Sequence, residues 1–386
     1  MKIIGISSYY HDSAAALIEN GKIVLAAQEE RFTRKKNDSS FPIKSIEFIL
    51  NEKKLDINEI DYICFYEKPI LKFERLIETY LSFSFKGFKQ FAISMPLWIK
   101  EKLFLKENFF KELKKLNKNF DKKKLFFSKH HLSHAASAFY PSPFNDAVIL
   151  TIDGVGEWNT TTVSIGKENK IEFKKEINFP HSLGLLYSAF TYYLGFQVNE
   201  GEYKVMGLAP YGKPVYKDLI TKNLININED GSFKLNLKFF DYATGLKMTN
   251  KYFDDLFGHK RRESDENILQ FHMDIARSIQ DVTEMVMDKI IFNLSKEYKN
   301  KNLCLAGGVA LNCVANGKIL KKKYFENIWI QPAAGDAGGA IGAALALWHK
   351  DLNMSRKPIS KNDGMNNSLL GPQFSNEEIE KELITL

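Results

Sequence analysis

The sequence predicts an α/β protein built from two duplicated lobes that face each other across a cleft. An internal echo carries most of this. Residues 2–30 run as strand (KIIGIS), polar loop (SYYHDS), strand (AAALIE), a turn at Asn20-Gly21, and strand (KIVLAAQEE). Residues 147–177 repeat the order as AVILTI, DGVGEW, NTTTVSIG, a turn at Lys167-Glu168-Asn169, and KIEFKKEI. Apolar runs rich in Ile and Val, split by such punctuation, mark hairpins. The second observation lies further along the chain, where strand, glycine loop and helix occur twice in succession. The third is composition. The 386 residues are 44% hydrophobic and 26% charged, which suits the core of two lobes and not a disordered chain.

The first lobe is expected over 1–145. A helix near 44–53 leads to a strand at 60–66. A Lys-, Phe- and Leu-dense segment over 70–118 reads as an insertion of several helices, broken at Pro96. The second lobe is expected over 146–350. A long helix over 265–298 carries Ile268, Ile275, Ile279, Val282, Val286 and Ile290 on one stripe. Strand 302–308 then precedes a glycine-opened helix (ALNCVANGKIL). Strand 327–333 precedes a Gly-Asp loop and a small-residue helix (GGAIGAALALWHK). Residues 351–370 read as a linker. Residues 371–386 read as the start of a truncated further domain, with Ser375 and Glu378 in capping-box spacing.

The formal net charge of +7 permits anionic partners without selecting one. The basic residues are scattered and no RNA-binding motif occurs, so a nucleic-acid role is not expected. Cys64, Cys304 and Cys313 form no CxxC pair, which fits a reducing compartment. The opening MKIIGIS lacks a signal-peptide pattern, and no apolar run reaches the roughly 18 residues of a membrane helix. A cytoplasmic protein without membrane attachment is expected.

The chemistry-bearing residues cluster at predicted strand ends. His130 and His134 stand four apart in KHHLSHAASAF, so a helix projects both imidazoles from one face, close enough to share a metal. His131 with His134 is a weaker alternative. The candidate carboxylates are Asp153, which ends the first strand of the second repeat, and Asp336 in AAGDAGG. Two histidines with one or two carboxylates suit Fe(II), Mn or Zn, with Fe(II) favoured. Gly154 in DGVG and the turn holding Gly307, Gly308 and Asn312 can bring backbone amides to an oxyanion. There is no P-loop and no dinucleotide fingerprint. His11 beside Asp12 could deprotonate a hydroxyl. Lys36, in a basic run, offers a cation. Segment 199–213, with Glu202 and Lys204 among glycines, reads as a functional loop.

These strings, together with SLGLLYSAFTYYLGF and EGEYKVMGLAPYG, resemble the carbamoyltransferase family of nodulation-factor, cephem and tobramycin O-carbamoyltransferases. The resemblance runs from residue 1 to about residue 350. It implies the actin-like, sugar-kinase-like (ASKHA) ATPase fold, related to the tRNA threonylcarbamoyladenosine synthase subunit. It implies an EC 2.1.3-type enzyme that moves a carbamoyl group from carbamoyl-adenylate to a hydroxyl of a sugar or natural product. A YrdC-like domain, in cis or in trans, would make carbamoyl-adenylate from carbamoyl phosphate and ATP. LLGPQFSNEEIEKEL resembles the start of that domain. By the resemblance, His130, His134 and Asp336 hold the metal, with Asp153 as a further ligand or near neighbour. Gly184, Gly307, Gly308 and Asn312 lie along the adenylate. His11, Asp12 and Lys36 face the acceptor or carbamoyl group. A sugar kinase-like phosphotransferase of the same fold, or a nucleotide-binding regulatory subunit, are the alternatives.

Overall fold

A computed structural model describes residues 1–82, 104–357 and 363–385. The first lobe opens with β1 (Lys2–Ser7), β2 (Ala14–Glu19) and β3 (Lys22–Gln28). The turn between β2 and β3 places Asn20 and Gly21 at positive φ, the requirement that Asn-Gly meets at low steric cost. Helices α1 (Glu30–Thr33) and α2 (Ile43–Lys53) follow, then β4 (Tyr62–Phe65), α3 (Pro69–Ser82), α4 (Leu105–Leu116), β5 (Leu125–Phe127) and α5 (His130–Phe139). The segment read as helical over 70–118 supplies α3 and α4. Pro96 and the rest of 83–103 lie outside the described residues.

The second lobe opens with β6 (Asp146–Ile152), β7 (Asn159–Lys167) and β8 (Lys170–Asn178), then α6 (Leu183–Tyr193), α7 (Glu202–Leu208) and α8 (Lys217–Asn223). A small hairpin of β9 (Ile225–Ile227) and β10 (Phe233–Leu235) and helix α9 (Lys251–Phe257) precede the long α10 (Gln270–Glu297). Then come β11 (Asn302–Ala306), α11 (Cys313–Lys322), β12 (Asn327–Ile330) and α12 (Asp336–Ala346), and after the lobe α13 (Asn376–Thr385).

The two large sheets have one plan. Their strand orders are β3-β2-β1-β4-β5 and β8-β7-β6-β11-β12. In each, the first three strands pair antiparallel and the last two join in parallel. The internal echo is therefore a true duplication, and the arrangement is the actin-like one. One apolar core fills the first lobe and continues through α5 and α12 to one face of the second sheet, at Ala147, Ile149, Cys304 and Ala306, and a second core lies within the second lobe. Strands β1 and β6 lie central in their sheets and read as near-continuous buried runs.

Three expectations need correction. The long helix starts at Gln270, so Ile268 lies before it and is 40% exposed, whereas Ile275, Ile279, Val282 and Val286 are fully buried. Segment 199–213 is not one loop, because α7 occupies its middle. Residues 351–357 and 363–370 do not behave as a free linker. The Arg356 guanidinium donates to the carbonyls of Phe139, Tyr140, Ser142 and Phe144, past the end of α5. Met365 and Leu370 are buried in the first lobe's core, and Leu370 O accepts from Ala26 N. Polar composition hid these three anchors.

Helices α5 and α12 are the corresponding last helices of the two lobes, and they pack against each other. Small residues allow the contact. A Cβ on Gly342 would stand 1.7 Å from Ser133 O of α5, and one on Gly5 of β1 would stand 1.8 Å from Ala340 O of α12. Backbone thus meets backbone on both sides of α12. We expect Gly342→Ala to lower unfolding free energy by about 2 kcal/mol or more, since neither helix can withdraw from a packed core without cost. An unchanged urea midpoint for that variant would show the contact to be looser than described.

Candidate active site

Helix α5 has no side-chain cap of its own at Lys129. The Glu157 carboxylate, from the β6–β7 loop, takes that place by accepting from His130 N at 2.9 and 3.1 Å. An anion there also suits the positive end of the helix. All of α5 is buried. The four-residue spacing puts the Nε2 atoms of His130 and His134 3.1 Å apart. His131 faces the other way, with its Nδ1 2.8 Å from Thr151 Oγ1. Burial and the two neighbouring imidazoles push His131 down to about 3, so it stays neutral, and the weaker His131–His134 pairing is set aside.

Two carboxylates meet the histidines. Asp153 follows β6, and its Oδ2 lies 2.9 Å from His130 Nε2 and 3.6 Å from His134 Nε2. Its Oδ1 accepts from Gly308 N at 2.9 Å. Asp336 opens α12, and its Oδ1 lies 3.5 Å from His134 Nε2 and 3.7 Å from His130 Nε2. Its Oδ2 accepts from the Tyr66 hydroxyl at 3.1 Å and lies 3.7 Å from His11 Nε2. Ligand atoms of His130, His134, Asp153 and Asp336 all fall within 4.8 Å of one another. Ligands about 2.1 Å from one ion sit roughly 3.0–3.4 Å apart, so this group fits a single divalent cation. Its donor set is imidazole and carboxylate, without thiolate.

The electrostatics follow from this crowding. For His134, burial opposes the charge, but hydrogen bonds to Asp153 and Asp336 prevail and raise it to about 10. Burial likewise opposes charge on His11, and Asp336 and Asp12 outweigh it, raising the ring to about 9. Asp153 is held well below the usual carboxylate range, its burial overcome by His130 and His134. Asp336 is lowered too, against its burial, by His11 and His130. Two clustered carboxylates therefore stay ionised by holding protons on imidazole.

A cavity of about 400 Å³ opens in front of this cluster. His11, Asp12 and Asp153 line it, with Gly154, Gly184, Glu202, Gly308 and Asn312. His130, His134 and Asp336 are almost wholly buried and do not line it. Lys36 also lines it, but its ammonium is largely exposed and pairs with Glu30 at 3.1 Å. The Glu202 carboxylate accepts from Ser188 Oγ at 2.6 Å and from Asn199 N at 3.1 Å. Gly184 lets α6 meet the turn after β6, since a Cβ there would stand 2.6 Å from Asp153 O.

Two expected residues are not at the cavity. Lys204 is exposed on α7, with its ammonium 5.9 Å from the Tyr203 ring centroid. Gly307 turns the chain behind the wall at φ 88°, with Ile152 O 2.3 Å from where a Cβ would be. Sequence reasoning missed Tyr66, Glu157 and Gln280. Tyr66 ends the strand expected at 60–66, and strand ends facing the cleft were already the signal for Asp153. Gln280 is a fully polar side chain on a buried helix and is 1% exposed.

Fold and site together define an actin-like cleft protein with a histidine–carboxylate cluster directly behind the cavity. The chain belongs to the carbamoyltransferase N-terminus family, whose model matches residues 2–345. It is 58% identical to the uncharacterized protein sll1178 of Synechocystis sp., over 99% of this chain and 62% of that protein. It is 33% identical to nodulation protein NolNO of Sinorhizobium fredii, over 98% of this chain and 52% of that protein. The chain thus spans between 52% and 62% of the length of these two relatives. Component A of the (R)-2-hydroxyglutaryl-CoA dehydratase of Acidaminococcus fermentans is similar with a TM-score of 0.45 and 15% identity, over 89% of this chain and 96% of that one. Among the described residues, no helix is long and apolar enough to cross a membrane.

A cation entering the cluster must displace the His134 proton. Below about pH 10 that proton is present, so apparent metal affinity should rise with pH, by up to about tenfold per unit, and level off above it. Competition titrations at pH 6.5 and 8.5 read this directly, and a pH-independent affinity would contradict the assignment. Substituting His130→Ala and His134→Ala together should remove bound metal, measured by elemental analysis.

Proposed function

We propose that this chain carries the transfer step of an O-carbamoyltransferase of EC 2.1.3 type. The observation that supports it most is the convergence of four ligand groups, from both lobes, directly behind a cavity that one of them, Asp153, lines, in a member of this family. The donor is carbamoyl-adenylate, made from carbamoyl phosphate and ATP by a YrdC-like domain in cis or in trans. The acceptor is a hydroxyl of a sugar or natural product. The setting is the cytoplasm.

His130, His134, Asp153 and Asp336 are the residues that would hold the metal, with Fe(II) the favoured ion. When bound, a divalent cation would neutralise the two carboxylates, release His11 from the pull of Asp336, and polarise a phosphate or carbamoyl oxygen. The turn amide at Gly154 holds the adenylate phosphate, while the Gly308 amide stays on Asp153. His11 presents Nε2 towards the cluster, because its Nδ1 is tied to Asp12 Oδ2 at 2.9 Å. Nε2 takes the proton of the acceptor hydroxyl, and Asp12 stabilises the resulting imidazolium. The acceptor oxygen forms its bond to the carbamoyl carbon. The bond from that carbon to the phosphate oxygen breaks, and AMP leaves with the electron pair. The mixed anhydride is already activated, so positioning supplies much of the acceleration.

The test combines this chain with a YrdC-like domain, carbamoyl phosphate, ATP and a panel of hydroxylated sugars. Mass spectrometry should find an acceptor bearing one added carbamoyl group, together with AMP. His11→Ala should lower kcat by about 10²–10⁴ while the metal content is unchanged. A phosphorylated acceptor and ADP, formed without carbamoyl phosphate, would instead make the chain a phosphotransferase.

A further inference from the structure

One wall of the cavity is backed by a buried network that the transfer chemistry does not use. Gln280 and Glu284 lie one turn apart on α10, facing the start of α11. The Gln280 amide has no free valence. Its Oε1 accepts from the Tyr187 hydroxyl at 2.9 Å and from Asn312 Nδ2 at 2.9 Å. Its Nε2 donates to Glu284 Oε1 at 2.9 Å and to Asn312 Oδ1 at 3.0 Å. Glu284 can only accept, and it is held in turn by Lys318. That fixes which end of the Gln280 amide is nitrogen, and so the orientation of everything it touches.

The consequence falls on Asn312. Its Oδ1 takes two donors, Gln280 Nε2 and the α11 backbone at Ala315 N, the latter at 3.0 Å. Its Nδ2 gives one hydrogen to Gln280 Oε1. Both ends of the side chain are therefore oriented from behind, by a carboxylate that must accept and a backbone amide that must donate. One N–H of Asn312 is left over, on a residue that lines the cavity. Val309, Leu311 and Met206 line the same cavity and offer apolar surface to a flat ring. An N–H fixed in such a wall favours a ligand that offers an acceptor and disfavours one that does not, because the donor is otherwise desolvated without a partner.

We propose that Gln280 and Glu284 are positioning residues that make Asn312 present a single N–H donor to a ring nitrogen of the nucleotide's base. This rests on the reading that the cavity holds an adenylate. Neither residue touches the ligand. Their role is to set the orientation of one amide, and through it the choice of base.

The test measures the affinity of the chain for ATP and for its 1-deaza, 3-deaza and 7-deaza analogues, each lacking one ring acceptor. The wild-type chain should bind one analogue about tenfold more weakly than ATP. In Gln280→Met that gap should shrink to within about twofold. The isosteric Glu284→Gln, which keeps volume while freeing the Gln280 amide to turn over, should narrow it as well. A merely structural role for either residue would weaken all four ligands alike and leave the discrimination intact. Equal binding of all four by the wild type, or unchanged discrimination in Gln280→Met, overturns the assignment. A wild-type chain that binds no adenine nucleotide overturns the carbamoyl-adenylate reading itself.

Discussion

Helices α5 and α12 touch through glycine and serine backbone, and the active-site geometry descends from that contact. Each is the last helix of its lobe. One carries His130 and His134, the other begins with Asp336. Because Gly342 lies against Ser133 O, the helices are closer than side chains would permit. The N-terminus of α12 is thereby delivered to the face of α5 where the two imidazoles project. The remaining groups come from equivalent loops. Asp153 follows β6, and His11 follows β1, the matching central strand of the other sheet. A duplicated fold thus places two pairs of equivalent chain segments around one point.

Such a cluster is costly by itself. Two carboxylates brought together, Asp336 buried and Asp153 partly so, repel each other and lose hydration. The protein offsets this with protons held on His134 and His11, with the Tyr66 hydroxyl on Asp336, and with the Gly308 amide on Asp153. A bound cation would supply the same compensation more fully, and exchanging protons for metal would couple occupancy to pH. It would also change the charge that Asp336 presents to His11.

The outer structure serves this centre. Glu157 caps α5 from a loop that Arg75 of α3 also holds, through Gly156 O at 2.8 Å. Arg356 ties down the other end of α5 through four carbonyls. On the far wall, Gln280 and Glu284 orient Asn312. The histidine helix is therefore clamped at both termini, and Asn312 on the cavity wall is held from behind by Gln280.

The duplication, the helix-spaced histidines and the glycine turns were legible in the sequence because each is a local pattern. Period-two strands, a four-residue spacing and Asn-Gly turns declare themselves within a few residues. Asp336, about two hundred residues from His130 and His134, was a candidate partner only by its place at a predicted strand end, and the resemblance singled it out, because no spacing rule spans such a gap. The anchoring of 351–357 and 363–370 was not legible, since one half-buried arginine and two buried apolar residues among polar ones leave no periodic trace. Lys204 shows the reverse failure. A charged residue in a glycine-rich stretch looked functional, but α7 turns it outward. The sequence by itself determined which local elements form and which side chains share a helix face, for these depend on near neighbours. Only the tertiary structure decided which loops converge, which polar groups answer one another, and which charges face the cavity, because those depend on how close two backbones can come.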